Sequence, residues 1–304
     1  MNKLCALASL LAFPLACLPK DTRPPPSVVL FTASPSEATQ TGRLATETAD
    51  GWSIEFERVL VAIGRVSLDG DDCSVYSDAG YARVLNLIGA PNSQKISDSY
   101  ALGQCDFGFG IGNPQSESPL GVGATKDDLA FMRTAGTDHY GGPTGISLYV
   151  AGSATKHDQK LTFAWPFRGR ARFRECASLQ DGKLTRGFDL KEDGEVTVNV
   201  VVHAEALFAE SIMDPDSALR FDAVASADAL GNADGEVTFD ELRLVMLTDL
   251  QGGDAYVPNK TNQDVGLLWS TLEDFIYLGA APNVARFQET GECDTQLGEP
   301  PRGG

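Results

Sequence analysis

The stretch that decides the fold is Leu161-Thr-Phe-Ala-Trp-Pro-Phe-Arg168, which continues to residue 174 as Gly-Arg-Ala-Arg-Phe-Arg. Its large apolar side chains occupy alternate positions, so they fall on one face of an extended chain. The opposite face carries an arginine at every second position from Arg168 to Arg174. This period of two predicts a strand that buries one face and leaves the other in water.

The same alternation recurs along the first two thirds of the chain and then stops. Further strand candidates are residues 28–31, 52–63, 107–111, 146–150 and 196–202. Past residue 208 the apolar residues follow a helical period, with candidates at 219–227, 239–250 and 272–278. Many short strands followed by helices indicate a mainly β protein. We expect an antiparallel β-sandwich, Ig-like or related, with a C-terminal helical segment that contains a helix–loop–helix.

The first residues predict export. A basic start at Lys3 precedes an apolar run, Leu4 to Leu15, which is too short to span a bilayer as a helix. This is the layout of a secretory signal peptide. Pro14-Leu-Ala-Cys17 resembles a bacterial lipobox, in which the cysteine is lipidated, although Pro14 stands where that pattern has leucine. The alternative is ordinary cleavage nearby, which leaves Cys17 free or removes it.

These features predict the organisation of the chain and its location. The segments are a signal peptide (1–16), a lipid anchor and Pro-rich linker (17–27), a β-sandwich domain (28–208), a helical segment packed on the sandwich (209–292) and a flexible tail (293–304). The three consecutive prolines of the linker form a semi-rigid spacer. We expect the protein in the periplasm or at the cell surface, with a bacterial membrane as its partner through a lipid anchor on Cys17.

Export makes disulfides the expected use of the cysteines. Once Cys5 and Cys17 are set aside, four remain: Cys73, Cys105, Cys176 and Cys293. Four cysteines allow three pairings. We favour Cys73 with Cys105 and Cys176 with Cys293, because the first pair is close in sequence. A zinc site is less favoured, because the chain has no close Cys-x-x-Cys pair.

The charge of the chain limits its partners. The 304 residues carry a formal net charge of −18, which argues against nucleic acid and against a direct grip on anionic lipid heads. A protein or glycan partner is left unidentified. The acidic chain contains one basic stripe, formed by Arg168, Arg170, Arg172 and Arg174. It could bind a carboxylate-bearing partner or a glycan, or pair with acidic neighbours on adjacent strands.

The loop from Asp228 to Glu241 carries the most specific chemical signal. Its oxygen-bearing residues have the spacing that wraps a Ca²⁺ ion, and Gly235 provides the sharp turn. The candidate ligands are Asp228, Asn232, Asp234, Glu236 (through its carbonyl), Thr238 and Glu241. The loop resembles an EF-hand counted from Leu230, whose apolar side chain occupies the first ligand position. Asp228 could supply the missing carboxylate.

A metal-free interpretation explains the same loop. Asp234-Gly235 is a turn, and Thr238-x-x-Glu241 is a capping box that begins a helix without a metal. If the loop does bind Ca²⁺, a single site with a defective first ligand should be weak. We expect a Kd on the order of 10⁻⁴–10⁻³ M.

A second candidate metal site lies on the outward face of the valine-rich strand. His203 and Glu205, joined by Asp138 and His139, could bind copper or zinc. The alternative is a solvated or hydrogen-bonded strand face. The aromatic strand followed by Val-Val-His-Ala-Glu-Ala-Leu-Phe at 201–208 resembles the strand pattern of MbnP-like proteins, which are periplasmic copper-associated lipoproteins. That resemblance implies no residue roles.

The enzyme signatures in the chain are incomplete. Gly108-x-Gly110-x-Gly112 lacks the third glycine of a dinucleotide loop at the right spacing. Ser153-Ala-Thr-Lys156 has no accompanying Lys-Thr-Gly or Ser-Asp-Asn. We therefore predict no catalytic residues and a non-enzymatic binding or structural lipoprotein with one calcium site. The alternatives are a periplasmic copper- or zinc-binding protein and a hydrolase with an unrecognised site.

Overall fold

The described part of the chain is mainly β, which confirms the fold class that the alternation predicts. The computed structural model describes residues 23–77, 79–139, 141–180, 182–212, 214, 216–250, 256 and 269–297. The predicted signal peptide, Cys17, the first part of the linker and residues 298–304 lie outside the described residues. Within them, no helix combines the length and apolar character that a membrane crossing needs.

The strands have the following bounds. They are β1 (Ser27–Pro35), β2 (Ser53–Asp69), β3 (Cys73–Ser77), β4 (Ala82–Asn86), β5 (Gln94–Gly112), β6 (Gly136–Thr137), β7 (Pro143–Thr144), β8 (Ile146–Lys156), β9 (Gln159–Arg168), β10 (Arg170–Gln180), β11 (Lys183–Arg186), β12 (Phe188–Leu190), β13 (Glu195–Val202), β14 (Glu236–Val237), β15 (Ala285–Phe287) and β16 (Glu292–Leu297).

One long strand, β5, joins two layers of the curled sheet. Its first half pairs with β1, β3 and β12. From Asp106 onward it pairs with β2 and β10 instead. The right-handed twist of strands accumulates over such a length, so β5 leaves one layer and enters the other. The two layers thereby enclose one core.

Two strand pairs depart from the predicted antiparallel arrangement. β1 runs parallel to β13, and β14 runs parallel to β9. In both pairs the strands are far apart in sequence, so no tight hairpin turn forces them to be antiparallel. Consecutive strands such as β8 and β9 are antiparallel, as the sequence predicts.

Aromatic side chains fill the space between the layers. Leu161, Phe163, Trp165 and Phe167 are all buried, so the stretch that predicts the fold also forms much of its core. Across the core, the rings of Phe109 and Phe173 stack with their centroids 4.3 Å apart. Such pairs add about 0.5–1.5 kcal/mol to what area burial alone contributes.

The helices differ in extent from the prediction. The helix predicted over 239–250 is only four residues long, and the one predicted over 219–227 begins and ends three residues later. The helices are α1 (Glu37–Thr41), α2 (Lys126–Met132), α3 (Asp222–Leu230), α4 (Phe239–Leu242) and α5 (Leu272–Asp274), with 3₁₀ turns at Ala204–Phe208, Leu247–Asp249 and Pro282–Val284 and a π-helix at Phe275–Ala280. The helix predicted over 239–250 ends early because its following backbone pairs elsewhere. Leu272 N–H donates to Val245 O, and Leu247 N–H donates to Ser270 O, both at 2.9 Å.

Both predicted disulfides are present. Cys73 is bonded to Cys105, and Cys176 to Cys293. The second bond corrects the prediction of a flexible tail from residue 293. Residues 292–297 form β16, which pairs antiparallel with β10 and is held there by the Cys176–Cys293 bond. The strand signal of residues 292–297 is weak, because only Cys293 and Leu297 pack against the core and both are partly buried.

Candidate functional site

The loop between α3 and α4 is fixed to the sandwich by backbone hydrogen bonds. Its centre forms β14, in which Glu236 and Val237 pair with Thr162 and Phe163 of β9. Thr162 N–H donates to Gly235 O at 2.8 Å. Val237 is buried, and its carbonyl accepts the indole N–H of Trp165 at 2.8 Å. The loop is therefore an edge of the sheet as well as a link between two helices.

Asp228 does turn toward the loop, as the calcium interpretation requires. It lies in α3, is only 7 % exposed, and its Oδ1 accepts the backbone N–H of Gly235 at 2.9 Å. Leu230, at the nominal first ligand position, is 59 % exposed and points away from this network. The carboxylate two residues earlier thus occupies the inside of the loop.

Glu241 closes the loop from the other side. It is 6 % exposed, and its Oε2 accepts the N–H and the hydroxyl of Thr238 at 2.9 and 3.0 Å. Thr238 Oγ1 accepts Glu241 N–H in return, so the predicted capping box is present. The second oxygen, Oε1, accepts Asn232 N–H at 3.2 Å. A Cβ at Gly231 would lie 2.4 Å from Oε1, so only glycine fits beside this carboxylate.

Three of the predicted ligands converge. One carboxylate oxygen from each of Asp228, Asp234 and Glu241 lies within 4.8 Å of the others. Asp234 is exposed, and its Oδ1 accepts Glu236 N–H at 2.9 Å while its Oδ2 accepts the amide of Asn232. Three carboxylates this close together attract a cation, because each would otherwise repel the others.

The other predicted ligands lie at the margin of this cluster. Asn232 uses its Oδ1 to accept Asp234 N–H at 3.0 Å. The hydroxyl of Thr238 is engaged in the capping box. Glu236 contributes to the pairing of β14 with β9. The groups of this loop that could hold a cation are therefore mainly the three carboxylates.

His203 and Glu205 form a dyad at the end of β13 rather than on its outward face. The strand ends at Val202, and the following 3₁₀ turn brings His203 Nδ1 to 3.0 Å from Glu205 Oε1. Glu205 Oε2 accepts the hydroxyls of Ser36 and Thr39 at 2.9 and 3.1 Å. Burial alone would raise the pKa of the Glu205 carboxyl, but the hydrogen bond and charge of His203, together with the hydrogen bonds from the Glu205 backbone and Ser36, leave the pKa below its usual value.

The other ring nitrogen of His203 is the notable atom of this dyad. Since Nδ1 donates to a carboxylate, neutral His203 carries a lone pair on Nε2. Nε2 is buried and has no hydrogen-bond partner among the residues described. The dyad lines a cleft of about 1080 Å³ together with Arg43 and Asn199. The sequence pattern predicts the two residues as candidates. It does not predict that Nε2 is buried without a hydrogen-bond partner among the described residues.

Sequence reasoning missed a third cluster, formed by His139, Glu273 and Asp274. His139 lies in this cluster and does not join His203. Its Nδ1 lies 3.0 Å from Glu273 Oε1 and its Nε2 lies 3.4 Å from Asp274 Oδ1. The side chain of Glu273 is 1 % exposed, and Arg243 approaches the same oxygen at 3.4 Å. The hydrogen bond with Glu273 raises the pKa of His139 above its ordinary value, by more than burial lowers it. A carboxylate near each ring nitrogen favours the imidazolium form.

A one-residue shift explains why this cluster was missed. The residues Ser270-Thr-Leu-Glu273 have the spacing of a capping box, so the sequence alone would make Ser270 the N-cap. In the structure the N-cap is Thr271, and Asp274 accepts its N–H at 2.9 Å. Asp274 therefore closes the box, and Glu273 is free to turn inward to His139. The adjacency of two acids in Leu-Glu-Asp is the only signal that the sequence offers for this.

The predicted serine–lysine signature is not arranged as a nucleophile and base. Ser153 is buried within β8. Lys156 Nζ lies 2.8 Å from Asp222 Oδ1 and over the ring of Trp52. These contacts give Lys156 a structural role at the start of α3.

The chain matches no known protein family, no curated protein and no solved structure. The similarity to MbnP-like proteins therefore stays a prediction, and the function has to be argued from the geometry.

Proposed function

We propose that the protein is a non-enzymatic exported module that binds one Ca²⁺ weakly through the α3–α4 loop. A lipid on Cys17 would anchor it to a bacterial membrane. The observation that carries the proposal is the convergence of Asp228, Asp234 and Glu241 within 4.8 Å, inside a loop with EF-hand spacing. The two disulfides support an oxidising compartment, where Ca²⁺ is also plentiful.

The chemistry of the donors favours calcium over transition metals. All three groups are carboxylates, which are hard oxygen ligands, and the remaining positions are open to carbonyls and water. A loop that already holds its backbone by hydrogen bonds accommodates the flexible coordination of Ca²⁺ better than the strict octahedron of Mg²⁺.

The same geometry limits the affinity. Both oxygens of Glu241 already accept hydrogen bonds, from Thr238 and from Asn232. A cation must share or displace these donors. We therefore expect a Kd on the order of 10⁻⁴–10⁻³ M, as in extracellular modules.

Equilibrium dialysis with radioactive Ca²⁺ at about 1 mM, near the expected Kd, tests the site. Wild type should bind one ion that Asp234→Asn loses, because the amide keeps the shape and the acceptor for Glu236 but not the charge. Asp240→Asn is the matched control, since Asp240 is exposed on α4 and pairs with Arg243. Equal binding by the two variants would show that the chain only attracts Ca²⁺ through its net charge.

The freedom of His203 Nε2 favours one alternative function, the binding of copper or zinc. A metal-bound histidine usually donates its other ring N–H to a carboxylate, as His203 does to Glu205. If this function is right, purified protein should carry copper or zinc that His203→Ala removes and His157→Ala retains. His157 is exposed in a turn, so it controls for a general loss of imidazole.

A further inference from the structure

A bulge in β2 turns an arginine onto the outer face of the sheet. The register of β2 against β5 shifts between Gly64 and Ser67, and Arg65 has a φ of 52° there. A left-handed φ is uncommon for a residue with a side chain, and bulges use it to redirect one. Arg65 therefore lies across β5 instead of alternating with its neighbours.

The glycines of β5 form the trough in which Arg65 lies. A Cβ at Gly110 would be 3.7 Å from Arg65 Cβ, and a Cβ at Gly112 would be 3.4 Å from Arg65 Nη1. The same Cβ at Gly112 would be 3.2 Å from Arg170 Cγ. The bare glycine face of this strand thus lets the guanidinium of Arg65 lie beside β10.

Three cations meet at this point. Arg170 is paired in register with Gly112 and Arg172 with Gly110, on the outer face of β10. Burial, and then the charges of Arg170 and Arg172, lower the pKa of Arg65 below its ordinary value. Like charges are thus held together at a half-buried position, which costs energy unless an anion compensates.

The protein supplies no such anion among its described residues. Arg65 donates to Asn113 O at 3.2 Å, and the ion pairs of the described chain include none of the three arginines. The chain has 42 acidic residues against 24 basic ones, so acidic partners are abundant elsewhere. Their absence here leaves the three guanidinium groups available to a ligand.

The predicted stripe of four arginines is wrong at its first member, Arg168. Gly169 has a φ of 116° and separates β9 from β10. Arg168 therefore turns away and donates to the carbonyls of Thr134 and Thr144 at 2.6 and 2.9 Å. Arg65, from another strand, takes its place in the cluster.

We propose that Arg65, Arg170 and Arg172 form a binding site for the phosphate group of a small soluble ligand. Planar guanidinium groups bind phosphate oxygens in pairs, and three of them match a group with a charge near −2 better than a single carboxylate. The net charge of −18 repels an anionic bilayer, so a small phosphate compound fits better than a lipid headgroup.

Titration calorimetry of the full chain with pyrophosphate, at constant ionic strength and in metal-free buffer, tests the site. We expect saturable binding that weakens about 10- to 100-fold in Arg172→Gln, the loss of one charge-assisted contact. Arg172 is exposed, so this variant should fold normally. Arg186→Gln is the control, because Arg186 is exposed and paired with Glu175.

Three results would overturn the proposal. They are no binding of pyrophosphate, equal weakening in Arg172→Gln and Arg186→Gln, or binding only to vesicles of anionic phospholipid and not to pyrophosphate in solution. Arg65→Gln gives a second measurement, since a correctly folded variant should lose binding as well. Calcium is left out of the buffer, so the outcome is independent of the α3–α4 loop.

Discussion

Replacing Glu241 separates its role as a helix cap from its role as a calcium ligand. Glu241→Gln keeps a side-chain oxygen that can accept Thr238 N–H, since glutamine also serves in capping boxes. Its amide then faces Asn232 N–H, which loses the acceptor that Oε1 provides. We expect a cost of about 1 kcal/mol in the free energy of unfolding without calcium. Glu241→Ala removes the acceptor of three donors, the N–H and hydroxyl of Thr238 and the N–H of Asn232, and should cost about 2–3 kcal/mol.

Calcium should stabilise the folded wild type but not Glu241→Gln. A ligand of the folded state stabilises by RT ln(1 + [L]/Kd). With a Kd on the order of 10⁻⁴–10⁻³ M, ~10 mM Ca²⁺ adds about 1.4–2.7 kcal/mol. For a domain of this size each kcal/mol shifts Tm by about 2–4 °C, so wild type should gain about 3–10 °C. Glutamine is neutral and cannot close the site, so Glu241→Gln should gain almost nothing.

Thermal melting in Ca²⁺, in Mg²⁺ and without either ion measures these shifts. The reasoning fails if Glu241→Gln gains as much from calcium as wild type does, because Glu241 would then be a cap alone. It also fails if wild type itself gains nothing at this concentration. A gain of equal size in Mg²⁺ would contradict the choice of calcium.

Two further predictions concern the pH dependence and the disulfides. The pKa of His139 is raised on folding, so its stabilisation is present below the unfolded pKa of about 6.5 and is lost as pH rises through the folded pKa. As pH rises from the unfolded to the folded pKa of His139, the urea midpoint of wild type should therefore fall toward that of His139→Gln. A difference between the two midpoints that stays constant with pH would contradict the charged pairing. Replacing Cys176 and Cys293 by serine should lower the free energy of unfolding by about 4.9 kcal/mol, because this disulfide closes a loop of 117 residues. Replacing Cys73 and Cys105, which close a loop of 32 residues, should lower it by about 3.7 kcal/mol. Equal or reversed losses in denaturant melts would refute the loop-length argument.

The strands could be predicted because their signal is local. Alternation over 161–174 requires only that neighbouring side chains point to opposite faces, and the core confirms it. The disulfide pairing followed from sequence separation and export. The α3–α4 loop was recognisable because its ligands lie within fourteen residues of each other, from Asp228 to Glu241.

What the sequence did not show depends on residues brought together from distant strands. Arg65 meets Arg170 only because a bulge and two glycines, Gly110 and Gly112, let it cross β5. His139 meets Glu273 because the cap of α5 shifts by one residue. β16 packs only Cys293 and Leu297 against the core, so its order comes mainly from the disulfide and from its pairing with β10. No local periodicity in the sequence predicts any of these contacts.

The pairing of β14 with β9 gives the α3–α4 loop a consequence for the whole fold. Gly235 donates its N–H to Asp228 and accepts the N–H of Thr162, so one residue links a candidate ligand to the aromatic strand. Two residues on, Val237 accepts the indole of Trp165, which is fully buried. A cation that holds Asp228 therefore also holds the edge of the sheet. For this reason calcium should raise the melting temperature of the entire sandwich, and not merely order two short helices.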